Sequence, residues 1–486
     1  MRLLFVSAEL APLCQSGGLG EAVGGLARAL GERGHEMTCV LPGHRMAFEN
    51  ARGLAFSDGG ELRLDLPDGG GLIGRWREAR VAPNVRVALI DLPALYDRPR
   101  LYGDAAGDYP DNALRFAALG RAGAWRAVAE RADALIAHDW HGALAVATLR
   151  YAMPPELGRA IAAVQVVHNN AYQGRFPPSA MRLTGLPPEL YRPDGVEAWG
   201  GLCLLKAGIV FADRIVAVSP TYAREIQQPA FGAGLEGVYR ARADALLGIA
   251  NGIDAERYDP AHDGALAENF SSKRLSGKER CRDALLHELE LAVPSPGRLC
   301  VALGRLTEQK GWDVLADAVE GLVARGASLA LLGDGDPAIA ARLAGAAAAH
   351  PRRIALRLGY DEGLARRLYA GADQVLVPSR FEPCGLVQLL AQRYGGLPVA
   401  HRVGGLADTI EDGRTGFLFE PLEAAALVGA FERAAALAEG DVEALREVQR
   451  RLLDLDVSWT GPAARWEALL EGLVGDRARQ ASRGMP

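Results

Sequence analysis

Short apolar runs at residues 3–7, 37–41, 85–90, 134–137, 161–167 and 214–218 alternate with longer stretches, such as 22–32 and 113–131, whose apolar positions recur at helical spacing. Runs of that length bounded by turn residues predict buried strands, and the longer period predicts helices laid over them. Alternation of this kind builds a mostly parallel sheet covered on both faces. From 259 to 296 the pattern turns polar and irregular, with Ser271, Ser272, Lys273, Gly277, Lys278, Pro294 and Pro296, which predicts a hinge and connecting segment. The alternation then restarts, with strands at 299–304, 328–332, 354–358 and 374–377 and helices at 312–324, 337–348, 361–370 and 386–394. The fold class expected is therefore α/β, with two Rossmann-like doubly wound domains at 1–258 and 297–457 joined by 259–296. Ligands in open parallel sheets bind outside the carboxyl ends of the strands, so a cleft between two such domains is the expected active site.

Composition narrows the function without naming it. The 486 residues carry a formal charge of −6, which argues against broad binding to nucleic acid or an anionic membrane. No apolar stretch reaches membrane length and no signal-peptide pattern opens the chain, so a cytoplasmic protein is expected. Six cysteines are scattered at Cys14, Cys39, Cys203, Cys281, Cys300 and Cys384 without a CxxC pair, which predicts neither disulfide nor zinc. Of the 54 basic residues only Lys206, Lys273, Lys278 and Lys310 are lysines, so the placement of each carries weight.

Three segments at predicted strand ends carry candidate chemistry. Gln15-Ser16-Gly17-Gly18-Leu19-Gly20 opens a helix, where glycines admit a ligand and free N–H groups face an anion, although a packing turn explains it equally well. Gly304-Arg305-Leu306-Thr307-Glu308-Gln309-Lys310-Gly311 offers two cations suited to a departing diphosphate. A solvated loop is the ordinary reading of such charges, and the scarcity of lysine tips Lys310 toward function. Pro378-Ser379-Arg380-Phe381-Glu382-Pro383-Cys384-Gly385-Leu386 leads into a helix, so that Gly385, Leu386 and Val387 point N–H groups at phosphate while Glu382 accepts from a sugar hydroxyl. Two further segments, His138-Asp139-Trp140-His141 and Val167-His168-Asn169-Asn170, set an aromatic beside polar groups, as a sugar requires. For any one of these histidines alone a structural role is the better reading, and only the joint placement at strand ends reverses it.

Taken together, these segments resemble the bacterial glycogen synthase and plastid starch synthase family. The likeness extends through Leu95-Tyr96-Asp97-Arg98-Pro99, Leu205-Lys206-Ala207-Gly208, Ser219-Pro220-Thr221-Tyr222, Asn251-Gly252-Ile253-Asp254, Leu332-Gly333-Asp334-Gly335 and Gly404-Gly405-Leu406, from Met1 to about Trp466. The resemblance implies the GT-B fold, two Rossmann-like domains facing across a cleft, with a last segment at 458–486 whose helix returns to the first domain. It implies transfer of glucose from ADP-glucose to the nonreducing end of an α-1,4-glucan such as glycogen, with retention and with neither cofactor nor metal. Carried over by position, Glu382, His168, Arg305 and Lys310 would be catalytic. Gln15, Gly17, Gly18, Asp139, Asn251, Tyr360, Cys384, Gly385, Leu386 and Val387 would meet the donor, and Trp140, His141 and Asn169 would line the acceptor sugar. The expected partners are the glucan and the nucleotide sugar, with no nucleic acid and no membrane, the oligomeric state being open.

The chain departs from the family at the donor side. Gln15 stands where a lysine is usual, Glu21 where an aspartate is, and Val387 where a threonine is. Losing a charge-assisted contact costs about 1.5–3 kcal/mol, which weakens a synthase without silencing it. Three readings follow: an ADP-glucose-dependent glucan synthase, a retaining transferase with another donor or acceptor, and a catalytically weak or silent glucan-binding regulatory homologue.

Overall fold

The protein is described by a computed structural model over residues 1–51, 53–65, 70–104, 107–294, 297–437 and 442–482. The chain divides into two compact units, Met1–Asn251 with Trp459–Pro486, and Gly252–Ser458.

Unit 1 is built on a nine-stranded sheet. Its strands are β1 (Arg2–Val6), β2 (Glu36–Pro42), β3 (Ser57–Asp65), β4 (Gly71–Ala82), β5 (Val85–Asp91), β6 (Ala134–His138), β7 (Ala162–Val167), β8 (Arg214–Ala217) and β9 (Leu246–Gly248). They lie in the order β9-β8-β7-β6-β1-β2-β5-β4-β3. The strands from β9 to β5 pair in parallel, while β3 and β4 extend the edge as an antiparallel hairpin. That hairpin alternates buried and exposed residues, the signature of a sheet half covered. The central strands are buried on both faces and read as continuous apolar runs, which is why they were visible from pattern alone.

Unit 2 has six parallel strands, β10 (Arg298–Leu303), β11 (Ala327–Gly333), β12 (Ile354–Leu358), β13 (Gln374–Val377), β14 (Leu397–His401) and β15 (Phe417–Phe419). Their order is β12-β11-β10-β13-β14-β15. The direction of winding reverses between β10 and β13, and in unit 1 between β1 and β6. Each reversal splays the connecting loops apart and opens a crevice at the carboxyl ends, so each unit has one place prepared for a ligand.

The segment 259–296 differs from the hinge expected of it. Apart from Ser295 and Pro296, which lie outside the described residues, it belongs to unit 2, which begins at Gly252 rather than at 297. Its helix α3 (Ser276–Glu288) packs on the sheet side of the unit, where Phe270, Leu275, Cys281 and Leu285 join one apolar core with Leu368, Tyr369 and Tyr394. Lys273 is exposed, but two charged residues of the segment, Lys278 and Asp263, are buried partners. Lys278, 3% exposed, donates from Nζ to the carbonyls of Ala370, Ala372 and Tyr394 at 2.9, 3.1 and 2.9 Å. Three further helices of this unit are α4 (Trp312–Ala324), α5 (Glu362–Gly371), whose last turn holds Ala370, and α6 (Val387–Arg393), which Tyr394 follows. The ammonium thus satisfies carbonyls that two helix ends leave without donors. Buried Asp263 likewise accepts from the Tyr394 hydroxyl and from Arg366.

The last helix, α7 (Thr460–Ser482), packs within unit 1. Trp459 sits so close to α1 (Gly18–Glu32) that a Cβ on Gly25 would lie 2.1 Å from its Nε1. Glu467 accepts from Arg33 Nε at 2.9 Å and lies 3.0 Å from His35 Nε2, and Arg477 pairs with Asp213. All six cysteines are buried and free of disulfides. Among the described residues no helix is long and apolar enough to cross a membrane.

Burial pulls the Lys278 ammonium down to about 8, so its three carbonyl contacts hold it against a real desolvation cost. Lys278→Met is expected to leave those carbonyls unpaired and lower stability by about 3 kcal/mol or more, read as a lower urea midpoint; an unchanged midpoint would contradict the capping role.

Candidate functional site

In unit 2 two loops meet at the reversal, one leaving β10 and the other β13. They touch so closely that a side chain is excluded: a Cβ on Gly311 would lie 1.7 Å from the Pro378 carbonyl oxygen, and Gly311 has φ 69°. Arg380 locks the pair. Its backbone N–H donates to the Gln309 carbonyl at 2.8 Å, and its guanidinium grips both oxygens of Asp313, in the first turn of α4, at 2.8 and 2.6 Å.

With the loops fixed, Lys310 Nζ lies 2.6 Å from Glu382 Oε2, to which the Ser379 hydroxyl also donates at 2.9 Å. Glu382 is 6% exposed, so its carboxylate is kept by these two donors in a place that would reject it unpaired. Arg305, one loop position beyond Gly304, is exposed and pairs with no other side chain among the described residues. Cys384 is buried, and Gly385, Leu386 and Val387 lead into α6, whose first turn has no side-chain cap. The structure therefore sets a free cation, a paired cation and a held carboxylate at one crevice, with uncapped amides beyond. Tyr360, just past β12, is 83% exposed, open to stacking on a planar ring.

In unit 1 the corresponding crevice gathers Asp139, His168 and Asn169. Asp139 opens α2 (Asp139–Tyr151) with φ 50°, a left-handed backbone that turns its side chain toward the end of β7. There its Oδ1 accepts from the N–H groups of His168 at 2.7 Å and Asn169 at 3.2 Å. Desolvation pushes this carboxyl up to about 7 although both amides pull the other way. His168 Nε2 is 3.0 Å from His138 Nδ1, and burial holds His168 down at about 3, so it acts as a neutral ring. In the loop that follows the neighbouring strand β1, Gln15 is half-buried with its Oε1 unpartnered among the described residues. Gly17 has open space where a Cβ would stand, whereas Gly20 would strike the Gln15 Cβ at 2.6 Å. Packing thus accounts for Gly20 but not for Gly17, and Gly18 starts the helix. Asn251, half-buried, ends the first of the two stretches that make up unit 1.

Two expectations are corrected. Trp140 and His141, read as sugar-lining, are only 9% and 6% exposed. Trp140 packs edge-on against Phe116 at 4.6 Å and covers Gly174, while His141 stacks on Tyr102 at 4.8 Å. As the first residues of α2 after Asp139 they turn inward, and their rings form the aromatic floor beneath the loop. The weight given to scarce lysine also fails in general: Lys206 and Lys278 are carbonyl donors within the fold. Ser379, Arg380 and His138 were missed as site-builders; Ser379 and Arg380 stood inside a segment already singled out, and only three-dimensional proximity reveals their partners.

The family model described as the starch synthase catalytic domain matches residues 2–241, and that of glycosyl transferases group 1 matches 297–436. A glycogen synthase of Anaeromyxobacter dehalogenans strain 2CP-C is 44% identical over 98% of this chain and 100% of its own. One from Rhodopseudomonas palustris strain HaA2 is 41% identical over 97% of this chain and 98% of its own. Among solved structures, the catalytic domain of starch synthase IV from Arabidopsis thaliana, bound to ADP and acarbose, superposes with a TM-score of 0.89 at 29% identity, covering 98% of this chain and 99% of that one. Sucrose-phosphate synthase from Thermosynechococcus elongatus shares the fold at a TM-score of 0.61 and 18% identity, covering 98% and 99%.

Burial lowers His44 and His168 from 6.5 to about 3, and His138 and His141 well below 6.5. The unfolded chain takes protons at these rings below pH 6.5 while unit 1 refuses them, so their stability is whole above 6.5 and lost as pH falls toward 3. Asp139 acts oppositely, its share being full below 3.8 and lost as pH rises through 7. Four rings outweigh one carboxyl, so the urea midpoint followed by tryptophan fluorescence, with six of the seven tryptophans in unit 1, is expected to drop from pH 7 to 5; a flat midpoint would contradict it.

Proposed function

We propose, since this chain belongs to the glycogen and starch synthase family with its GT-B fold, that it lengthens an α-1,4-glucan at the nonreducing end with glucose from ADP-glucose. The observation that carries the donor side is the group Arg305, Lys310 and Glu382 at the β10–β13 crevice. Two cations suit the diphosphate that must leave, and a carboxylate suits a hydroxyl of the sugar attached to it. The exposed ring of Tyr360 suits the base, and ADP in the Arabidopsis relative favours adenine there.

The reaction divides among these groups. As the bond between the sugar C1 and the phosphate oxygen lengthens, charge gathers on the diphosphate, where Arg305 and Lys310 stabilise it. Glu382 offsets the positive charge developing at the ring. The acceptor hydroxyl attacks C1 on the face the phosphate leaves, and its proton passes to that phosphate oxygen, so configuration is retained without a separate protein base. His168, neutral at physiological pH, contributes hydrogen bonds rather than charge, and Asp139 fixes the backbone that carries it. Gln15, Gly17, Gly18, Asn251, Cys384, Gly385, Leu386 and Val387 shape the donor's surroundings, and Asn169 the acceptor's. Arg305 and Lys310 supply the cationic charge for the leaving group, so no metal is required in this reading. Six buried free thiols fit a reducing cytoplasm.

One observation favours a slower variant of the same enzyme: Gln15 offers the donor no charge, and its Oε1 has no protein partner among the described residues. Purified protein with ADP-glucose and glycogen in EDTA is expected to release ADP, faster than it releases UDP from UDP-glucose. Arg305→Ala and Lys310→Ala are each expected to lower kcat/KM by about tenfold to a hundredfold, and Gln15→Lys to lower the KM for ADP-glucose by about tenfold. No turnover with any nucleotide sugar would overturn the reading, and an unchanged KM in Gln15→Lys would remove residue 15 from the donor contacts.

A further inference from the structure

A three-stranded antiparallel ribbon grows from the loop that carries His168. Arg175–Phe176 pairs with Gly201–Cys203, which pairs in turn with Glu197–Ala198. Ala198 faces Gly201, so Trp199 and Gly200 alone form the connection, with φ values of 57° and 80°. Two successive positive φ values are what a tight two-residue hairpin demands, and asparagine, aspartate or glycine normally meets that demand. A bulky aromatic there is an outlier whose backbone conformation costs the fold.

The same tryptophan is also 75% exposed, so burial does not repay that cost. Its orientation is nonetheless set, because indole Nε1 donates to the Gly234 carbonyl at 3.1 Å. Packing around Gly234 is tight: a Cβ there would meet Trp199 Nε1 at 2.8 Å and Arg175 Nη2 at 3.4 Å. Arg175 is therefore close beside the indole, itself anchored by the Gln173 side chain at 2.8 Å and the Ala233 carbonyl at 3.2 Å. A flat apolar ring, held edge-down with its face in solvent and a guanidinium alongside, matches the face and hydroxyls of a pyranose.

We infer that Trp199, with Arg175, is an outer binding platform for the α-1,4-glucan chain, stacking a glucose unit away from the reacting end. The inference rests on the proposed glucan transfer for the identity of its ligand, and the ribbon's continuity with the His168 loop, through Gln173 and Gly174, ties it to the acceptor side. The platform adds affinity for long acceptors and leaves the donor untouched. Because asparagine suits the turn better than tryptophan does, Trp199→Asn removes the ring without harming the hairpin, and its melting temperature is expected to be no lower than that of the wild type.

The test uses the full-length protein. Trp199→Asn is expected to raise KM for glycogen about five- to tenfold while kcat, KM for ADP-glucose and KM for maltotriose stay within twofold; Trp199→Tyr is expected to restore most of the loss. Electrophoresis through gels containing glycogen gives a readout independent of turnover, with the wild type retarded and Trp199→Asn less so. Equal KM for glycogen and equal retardation in the two proteins would overturn the platform. If the wild type turned over no donor, the proposed reaction would fall, and the gel would still decide whether Trp199 holds glucan.

Discussion

The ion pair between Lys310 and Glu382 is the contact on which the candidate site of unit 2 is built. Its partners come from loops after two adjacent strands, and they meet only because Gly311 has no side chain to push Pro378 away and because Arg380 spans from one loop to Asp313. A buried carboxylate without a donor would be expensive, and a lysine without a carboxylate would be free to wander. Together they give a cation of fixed position and a carboxylate whose charge is partly answered, which in the proposed reaction would leave Arg305 and Lys310 to meet the donor phosphate.

Unit 1 solves a different problem. Its strand-end groups carry reduced charge: burial keeps His138 and His168 unprotonated and pushes the Asp139 carboxyl up to about 7. Hydrogen bonds, rather than charges, fix them. Asp139 accepts a left-handed backbone so that one carboxyl oxygen can receive two successive amides, and the loop bearing His168 is shaped by that grip. A sugar hydroxyl needs directed donors and acceptors and gains little from a net charge, so a neutral imidazole suits that task.

Much of this was legible in the sequence because parallel strands buried on both faces announce themselves as apolar runs, and because ligand-binding loops in such sheets follow the strands' carboxyl ends. The candidate residues were singled out by that placement, and the structure sets them at those strand ends: Arg305, Lys310 and Glu382 after β10 and β13, Asp139 and His168 after β6 and β7. What could not be read was partnership across distance. Lys278 looked like a solvent residue in a hinge, yet three carbonyls at two helix ends bury it. Trp140 looked like a sugar platform, and the turn made by Asp139 points it into the core instead, whereas Trp199, whose local sequence carries no such signal, stands in the open. Periodicity reports which face a residue lies on; it is silent about which distant backbone groups lack a donor.

The central claim is transfer of glucose from ADP-glucose to the nonreducing end of an α-1,4-glucan with retention of configuration. Proton and carbon NMR of glucan extended with glucose labelled at C1 in the ADP-glucose donor tests it most directly. The account predicts that the label appears in α-1,4-linked residues at nonreducing ends from the first turnovers onward. A β-linked product would contradict it, as would label found only in free glucose.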